Sequence, residues 1–472
     1  MPTLRRIGAL AVLFTAWLTL RVAVTLADEP PPNAGDPTAP EPRPAPVWHP
    51  EPSAVAPAPE ILGLAETLEA AWGVAVESDQ RLEASQWNLS AASHSYAAAR
   101  AERLPSVSLG ADVYALNEAP SALMALPPPF SGTNQIALLD RDSAGFHALA
   151  KQPLYASGRI DGGINAAQES MAAQEAEVAR VKLDVKLGVA EFYILVLRAQ
   201  RGVEVSDNRA RSLGAHAQDV QRLFERGIVP KNDLLAADVA MADAQQQLLQ
   251  ARNSLDVARA SYNRALGRSL TNPVHLAELR AGDAIGDVDQ LTAKALELRP
   301  ELTALAAQAR GLREQATVAR SKNGPQVDVT GGYIYQSESH ITPNGITGVM
   351  LNVQWTALDA GRADHQATAL AHQAEATIRT RKDAETSVAL EVRQRWLDQQ
   401  TAGQRIAVTA KAIQQAEENL RSARSRYRAS AGTNTEVLDA ETLRIQAYSN
   451  FYNSLYEAVL AEMRLHRVVG DL

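Results

Sequence analysis

Cysteine is absent from all 472 residues, which removes disulfides, thiolate metal sites and an N-terminal lipid-modified cysteine from consideration. Methionine is scarce, with six residues, so no soft-metal relay can be assembled. The nine histidines are scattered. His365 and His372 share a helical face but stand seven apart, too far for the i, i+4 pair of a metalloprotease helix. Gly331-Gly332 lies in a strand pattern with no helix start behind it, so it is not a phosphate loop. No nucleophile, acid and base gather anywhere, and neither an enzyme nor a cofactor or metal is expected. A basic excess is also missing: the net charge is −8, and −11 without residues 1–27, whose Arg5, Arg6 and Arg21 are matched by no acid. Nucleic acid is therefore not an expected partner.

Residues 1–27 read as a signal peptide, with a basic start, an apolar run from Ile7 to Leu20 and small residues at Thr25 and Ala27. The run falls short of the roughly 20 residues a membrane helix needs, and no later segment reaches that length. Half of the 24 prolines fall in residues 28–59, which read as an extended linker.

What dominates the rest is long helical patterning. Ile406, Ile413, Leu420 and Tyr427 recur every seven residues, and Tyr448, Phe451, Leu455, Val459 and Met463 recur at three or four. That is coiled-coil spacing. A second copy lies 203 positions earlier: the offset takes Phe224–Asp238 to Tyr427–Glu441, Gly158-Arg159 to Gly361-Arg362, and Gly267 to Gly470. One offset fitting many landmarks indicates an internal duplication. In the first copy Ile164, Met171, Val178, Val185, Phe192 and Ala199 keep a strict seven, as do Leu234, Met241, Leu248, Leu255 and Tyr262. The first repeat is expected over 60–270, with a helix, a β-hairpin at 105–155, a long helix at 159–226 and a return helix at 232–267. A linker follows at 271–290. The second repeat, 291–470, should hold a helix, a hairpin at 325–357, a long helix at 362–430 and a return helix at 435–469.

Within each hairpin the period switches to two. Val107, Leu109, Ala111, Val113 and Ala115 alternate with Ser106, Ser108, Gly110, Asp112 and Tyr114, and the partner strand runs from about Gly145 to Tyr155. The second hairpin offers Val327, Val329, Gly331, Tyr333 and Tyr335, then Val349, Leu351, Val353 and Trp355. Apolar-out, polar-in strands of this length match an outer-membrane barrel, and Tyr155 and Trp355 suit an interfacial aromatic belt. Four strands cannot close a barrel in lipid, so several chains must share one. The fold class expected is mostly α with a small β part.

In their order and duplication, the Gly-Arg junctions and the run Gly432-Thr433-Asn434-Thr435-Glu436-Val437-Leu438-Asp439-Ala440 resemble the TolC-like outer-membrane efflux proteins. The resemblance covers residues 60–470. It implies a homotrimer in which four strands per chain build a β-barrel in outer-membrane lipid, above an α-barrel of long helical hairpins crossing the periplasm of a Gram-negative bacterium. The partners it implies are a periplasmic adaptor (membrane fusion) protein and an inner-membrane pump of the RND, ABC or MFS type. The function expected is a passive exit duct in a tripartite efflux system. Type I protein secretion is a variant on the same architecture, and a periplasmic coiled-coil adaptor is the alternative of another class.

The tips are the candidate sites. Gly227, Ile228 and Val229, with Gly432, Thr433 and Asn434, are the expected adaptor contacts, and Gly158, Arg159, Gly361 and Arg362 mark the strand–helix junctions. Gly227 follows Phe224 by three, whereas Gly432 follows Tyr427 by five, which sets the two tips apart. The resemblance implies that Tyr427 and Asp233 help hold the entrance shut, while an arginine assisting in some members aligns with Gly432. Asp233, Glu436 and Asp439 are candidate gate and selectivity groups. The competing account is that Thr433 and Glu436 form a capping box and that Asn232 or Asp233 caps the other return helix.

Overall fold

The computed structural model describes residues 65–125, 129, 133–280, 282, 286–339 and 342–472. They belong to one compact unit of the chain, Ile61–Leu472. The expected signal peptide and proline-rich linker lie outside the described residues.

The duplication is visible in the element lengths. Helices α1 (Leu68–Ser78) and α2 (Gln80–Ala101) have 11 and 22 residues, and so do α5 (Val288–Leu298) and α6 (Pro300–Ser321). The long helices α3 (Arg159–Glu225) and α7 (Arg362–Arg428) both have 67 residues, about 100 Å at 1.5 Å per residue. The return helices are α4 (Lys231–Ala265) and α8 (Asn434–Val469). Before the hairpins the halves are offset by 220 positions and after them by 203. The first hairpin absorbs the difference in its longer loop.

That loop holds a pair of strands the alternation does not reveal. Between β1 (Ser106–Ala115) and β4 (Asp142–Tyr155), the segments β2 (Ser121–Ala125) and β3 (Thr133–Ala137) form a separate antiparallel ribbon. The main sheet adds β5 (Gln326–Gln336) and β6 (Gly345–Gln354) in the order β1-β4-β5-β6, antiparallel throughout. Its register sets Val107, Ala150, Gly331 and Val349 side by side in one row and Leu109, Ala148, Tyr333 and Thr347 in the next. On this face Val107, Leu109, Val113, Val349, Leu351 and Val353 are all exposed, Val349 by 80%.

The opposite face carries Ser108, Asp112, His147 and a Lys151–Asp328 ion pair at 3.0 Å. It is less uniformly polar than expected, because Leu149, Ile334, Ile346 and Met350 also point that way. Leu149 occupies space that Gly332 leaves clear: a Cβ there would collide with the Ala148 carbonyl and meet Leu149 Cδ2 at 2.9 Å.

Strand turns into helix through two successive left-handed residues, Ser157-Gly158 (φ 50 and 89) and Ala360-Gly361 (φ 56 and 81). This reverses the chain without a loop. The second junction is fixed by Asp359, which accepts from Gly361 N at 2.9 Å and Ala363 N at 2.8 Å. At the first, Arg159 pairs with Glu102 at the end of α2.

The helices pack α3 on α4, α7 on α8, and α2 and α6 alongside α3 and α7. The largest core sits at mid-length, where Val185, Val189, Tyr193, Val196 and Leu197 of α3 meet Leu82, Tyr262 and Tyr456. Tyr193 Oη lies 2.7 Å from the Glu66 carbonyl and 2.8 Å from that of Ala277, tying a parallel bridge between Glu66 and Leu276 to the helix.

Of the expected heptad positions, Ile164, Val185, Leu255, Tyr262, Leu420 and Tyr427 are buried. Phe192, by contrast, is 36% exposed, and small residues share the buried seam: Ala237, Ala244 and Ala258 on α4, Ala367, Ala374, Ala402, Ala416 and Ala423 on α7, and Ala440, Ala447, Ser454 and Ala461 on α8. Small side chains let helix axes approach closely, so the closest contact falls on the smallest residues, and the larger apolar ones flank it.

Candidate functional site

The tips close each helical pair. In the first, the turn residue is Gly227 at φ 71. In the second it is not Gly432 but Ser430, at φ 56, which is the position equivalent to Gly227 under the 203 offset. The two turns therefore share one backbone course, and the sequence difference between them does not make a structural one. Gly432 serves a close approach instead, since a Cβ there would meet Arg426 Cβ at 3.1 Å and Tyr427 N at 3.3 Å.

Capping divides the acids. Thr433 Oγ1 accepts from Glu436 N at 3.3 Å, as a cap should, and the Glu436 carboxylate pairs with Arg426 at 3.4 Å. Asn232 and Asp233 do not cap α4, whose N-cap is Pro230 with no side-chain bond. Asp233 sits inside the first turn of α4 and its Oδ2 accepts the Tyr427 hydroxyl at 3.3 Å, joining the start of that return helix to the end of α7. Burial, with the Asp233 charge beside it, pushes the Tyr427 hydroxyl up to about 12, so it stays a donor at neutral pH. Asp439 is exposed, as is Ile228.

Just above the turns lies a polar layer absent from the expected site. Glu441, 1% exposed, is held by Arg444 at 2.6 Å and Arg424 at 3.4 Å, and its Oε2 accepts from Ser212 Oγ at 3.0 Å. Arg424 also donates to Ser212 Oγ, and Arg428 pairs with Asp219 of α3 at 2.7 Å. His216 of α3 meets Asn434 of α8 at 2.7 Å. Basic residues of α7 thus fasten the second hairpin to the first, although Gly432 stands where the resemblance placed a helping arginine. One signal of this layer is present in the sequence: Glu441 lies four residues after Val437 and one after Ala440, an acid on an apolar stripe.

A four-stranded sheet exposing one apolar face, continued into paired helices of about 100 Å, defines an outer-membrane channel subunit with a periplasmic helical body. Among the described residues no helix is long and apolar enough to cross a membrane. A family model described as outer membrane efflux protein matches residues 73–268 and 291–471, and the chain belongs to that family.

Outer membrane protein TolC of Vibrio cholerae is 24% identical over 326 residues, covering 66% of this chain and 73% of that protein. The solved structure of VceC, also from Vibrio cholerae, matches with a TM-score of 0.71 at 18% identity, covering 85% of this chain and 96% of that one. The outer-membrane channel OprN matches at 0.72 and 17% identity, covering 86% and 90%. The function is accordingly that of an outer-membrane efflux channel of tripartite systems, set in the outer membrane and extending into the periplasm. The family is one of passive channels, which sets aside the adaptor alternative.

Proposed function

We propose that three copies of the chain form one conduit for small-molecule efflux, with the tips as its periplasmic entrance and as the contact for a periplasmic adaptor protein coupled to an inner-membrane pump. The sheet carries this reading. It ends on two edges, β1 and β6, that no described strand of this chain pairs, and an unpaired edge is not tolerated in lipid. Joining β6 of one copy to β1 of the next closes a barrel, and three copies supply more than the roughly eight strands at which known barrels begin.

At the entrance, the Tyr427–Asp233 bond holds the end of α7 to the start of α4, and Asp233, Glu436 and Asp439 contribute negative charge. Gly227, Ile228, Val229, Gly432, Thr433 and Asn434 form the adaptor surface, because they interrupt the helices at the end furthest from the sheet. Photocrosslinkers placed at Ile228 and Thr433 should capture the adaptor in intact cells, from a protein that runs as a heat-sensitive trimer. A monodisperse monomer in mild detergent, or capture only from positions in residues 28–59, would contradict this reading.

A further inference from the structure

His216 is buried, 5% exposed, at the place where α3 meets the second hairpin. Its Nε2 lies 2.7 Å from Asn434 Oδ1, and the Asn434 amide is oriented by its own Nδ2, which donates to the Asp233 carbonyl at 3.1 Å. Oδ1 only accepts, so Nε2 carries the proton of the neutral ring and Nδ1 is left as its basic position. The ring packs against Tyr427 with centroids 5.5 Å apart, and with Ala215, Asp219, Arg424, Tyr427 and Arg428 it lines a cavity of about 30 Å³.

The charged groups around it are Asp219 from α3, Arg424 and Arg428 from α7, and Glu441 from α8; Asp233 of α4 is reached through Asn434 and Tyr427. Both nearby acids already have partners. Asp219 is paired with Arg428 and Arg222, and Glu441 with Arg424 and Arg444. A proton on Nδ1 would therefore add positive charge to a buried cluster with no free acid to receive it. Burial is the main cause that lowers His216 below its ordinary 6.5; the Asn434 bond opposes this, and Arg424 adds to it.

We infer that His216 is a proton-sensitive latch on the entrance: neutral, it ties α3 to α8 through Asn434, and protonated, it drives the second hairpin away from the first. This rests on the reading of the tips as the entrance. The sign follows from linkage. The tied state favours the neutral ring, so the tie is fully present above the ordinary histidine value and is lost as pH falls through the lowered one.

The test is conductance of the full-length protein in planar bilayers from about pH 8 to about pH 5, spanning the histidine range. The wild-type open fraction should rise severalfold on acidification, bounded by about tenfold per unit of pKa difference between tied and released states. His216→Gln keeps an amide donor for Asn434 and takes no proton, so its conductance should stay flat over the same range. A His216→Gln curve that follows the wild type overturns the latch, as does a wild type without the rise. Tyr427→Phe at about pH 8, above the histidine range, tests the entrance reading separately, since it should raise conductance whatever His216 does. Should His216→Gln fail to assemble, imidazole C2–H exchange read by mass spectrometry on the unaltered trimer decides. The His216 midpoint is expected below the ordinary histidine value of 6.5, and a midpoint at or above that value overturns the proposal.

Discussion

At the scale of single residues, position outweighs chemical type. The arginines near the second tip illustrate this. Arg421 pairs with Glu418 where both side chains are well exposed, whereas Arg424 reaches a fully buried Glu441 and Ser212 on another helix. Burial pulls the Arg424 guanidinium below its ordinary value, with Glu441 opposing and Arg444 adding to that pull. Replacing Arg424 by Ala leaves Glu441 with one fewer charged partner and should cost about 2 kcal/mol, read as a lower temperature of helix loss by circular dichroism. Arg421→Ala should change that temperature little, because exposed pairs contribute about 0–1 kcal/mol. Equal effects from the two would mean that the buried layer is not a fastening. Tyr427→Phe removes one hydrogen bond, worth about 1 kcal/mol, which corresponds to roughly a fivefold shift in favour of the open entrance. Single-channel conductance should rise accordingly, and an unchanged trace would show that the bond holds nothing shut.

At the scale of elements, the long helices stay together through small residues in strict register. Ala244 on α4 and Ala402 on α7 are buried in this way. Ala244→Leu and Ala402→Leu should each destabilise by about 1–3 kcal/mol through overpacking, since a helix held against its neighbour along its whole length cannot move aside at one point. Thermal melts would show no change if the seam lay instead on the larger residues. The heptads of Ile406, Ile413, Leu420 and Tyr427 were legible, and Leu420 and Tyr427 are buried. Phe192 was not legible in the same way. It keeps the period of seven but falls outside the core, because mid-length α3 is gripped by several helices at once and buries Tyr193, Ile194, Val196 and Leu197 instead.

At the scale of the whole molecule, the proposed trimer would bring equivalent groups from its copies to one axis. Asp233, Glu436 and Asp439 lie within the first two turns of the return helices, where three copies would concentrate carboxylates. Like charges in a narrow constriction draw cations, and screening weakens that pull. Reversal potentials in bilayers should therefore show cation preference that is strongest at low salt. Glu436→Gln combined with Asp439→Asn should reduce this preference without dissociating the trimer. Unaltered selectivity would leave Glu436 as a partner of Thr433 and Arg426 and no more.

The sequence by itself determined the duplication, the alternation of strand and long helix, the Gly-Arg junctions and the apolar face of the sheet. All of these are local or periodic properties, written in neighbours along the chain or in a fixed offset between copies. Only the tertiary structure decided that Ser430 rather than Gly432 makes the second turn, because the left-handed residue is set by where two helix axes must meet. It likewise decided that Asp233 answers Tyr427 instead of capping its own helix. The layer of His216, Ser212, Arg424, Glu441 and Asn434 joins residues more than 200 positions apart in sequence, from α3 to α8. Its partners belong to different copies of the repeat and follow no period, so their pairing exists only once the two hairpins lie side by side.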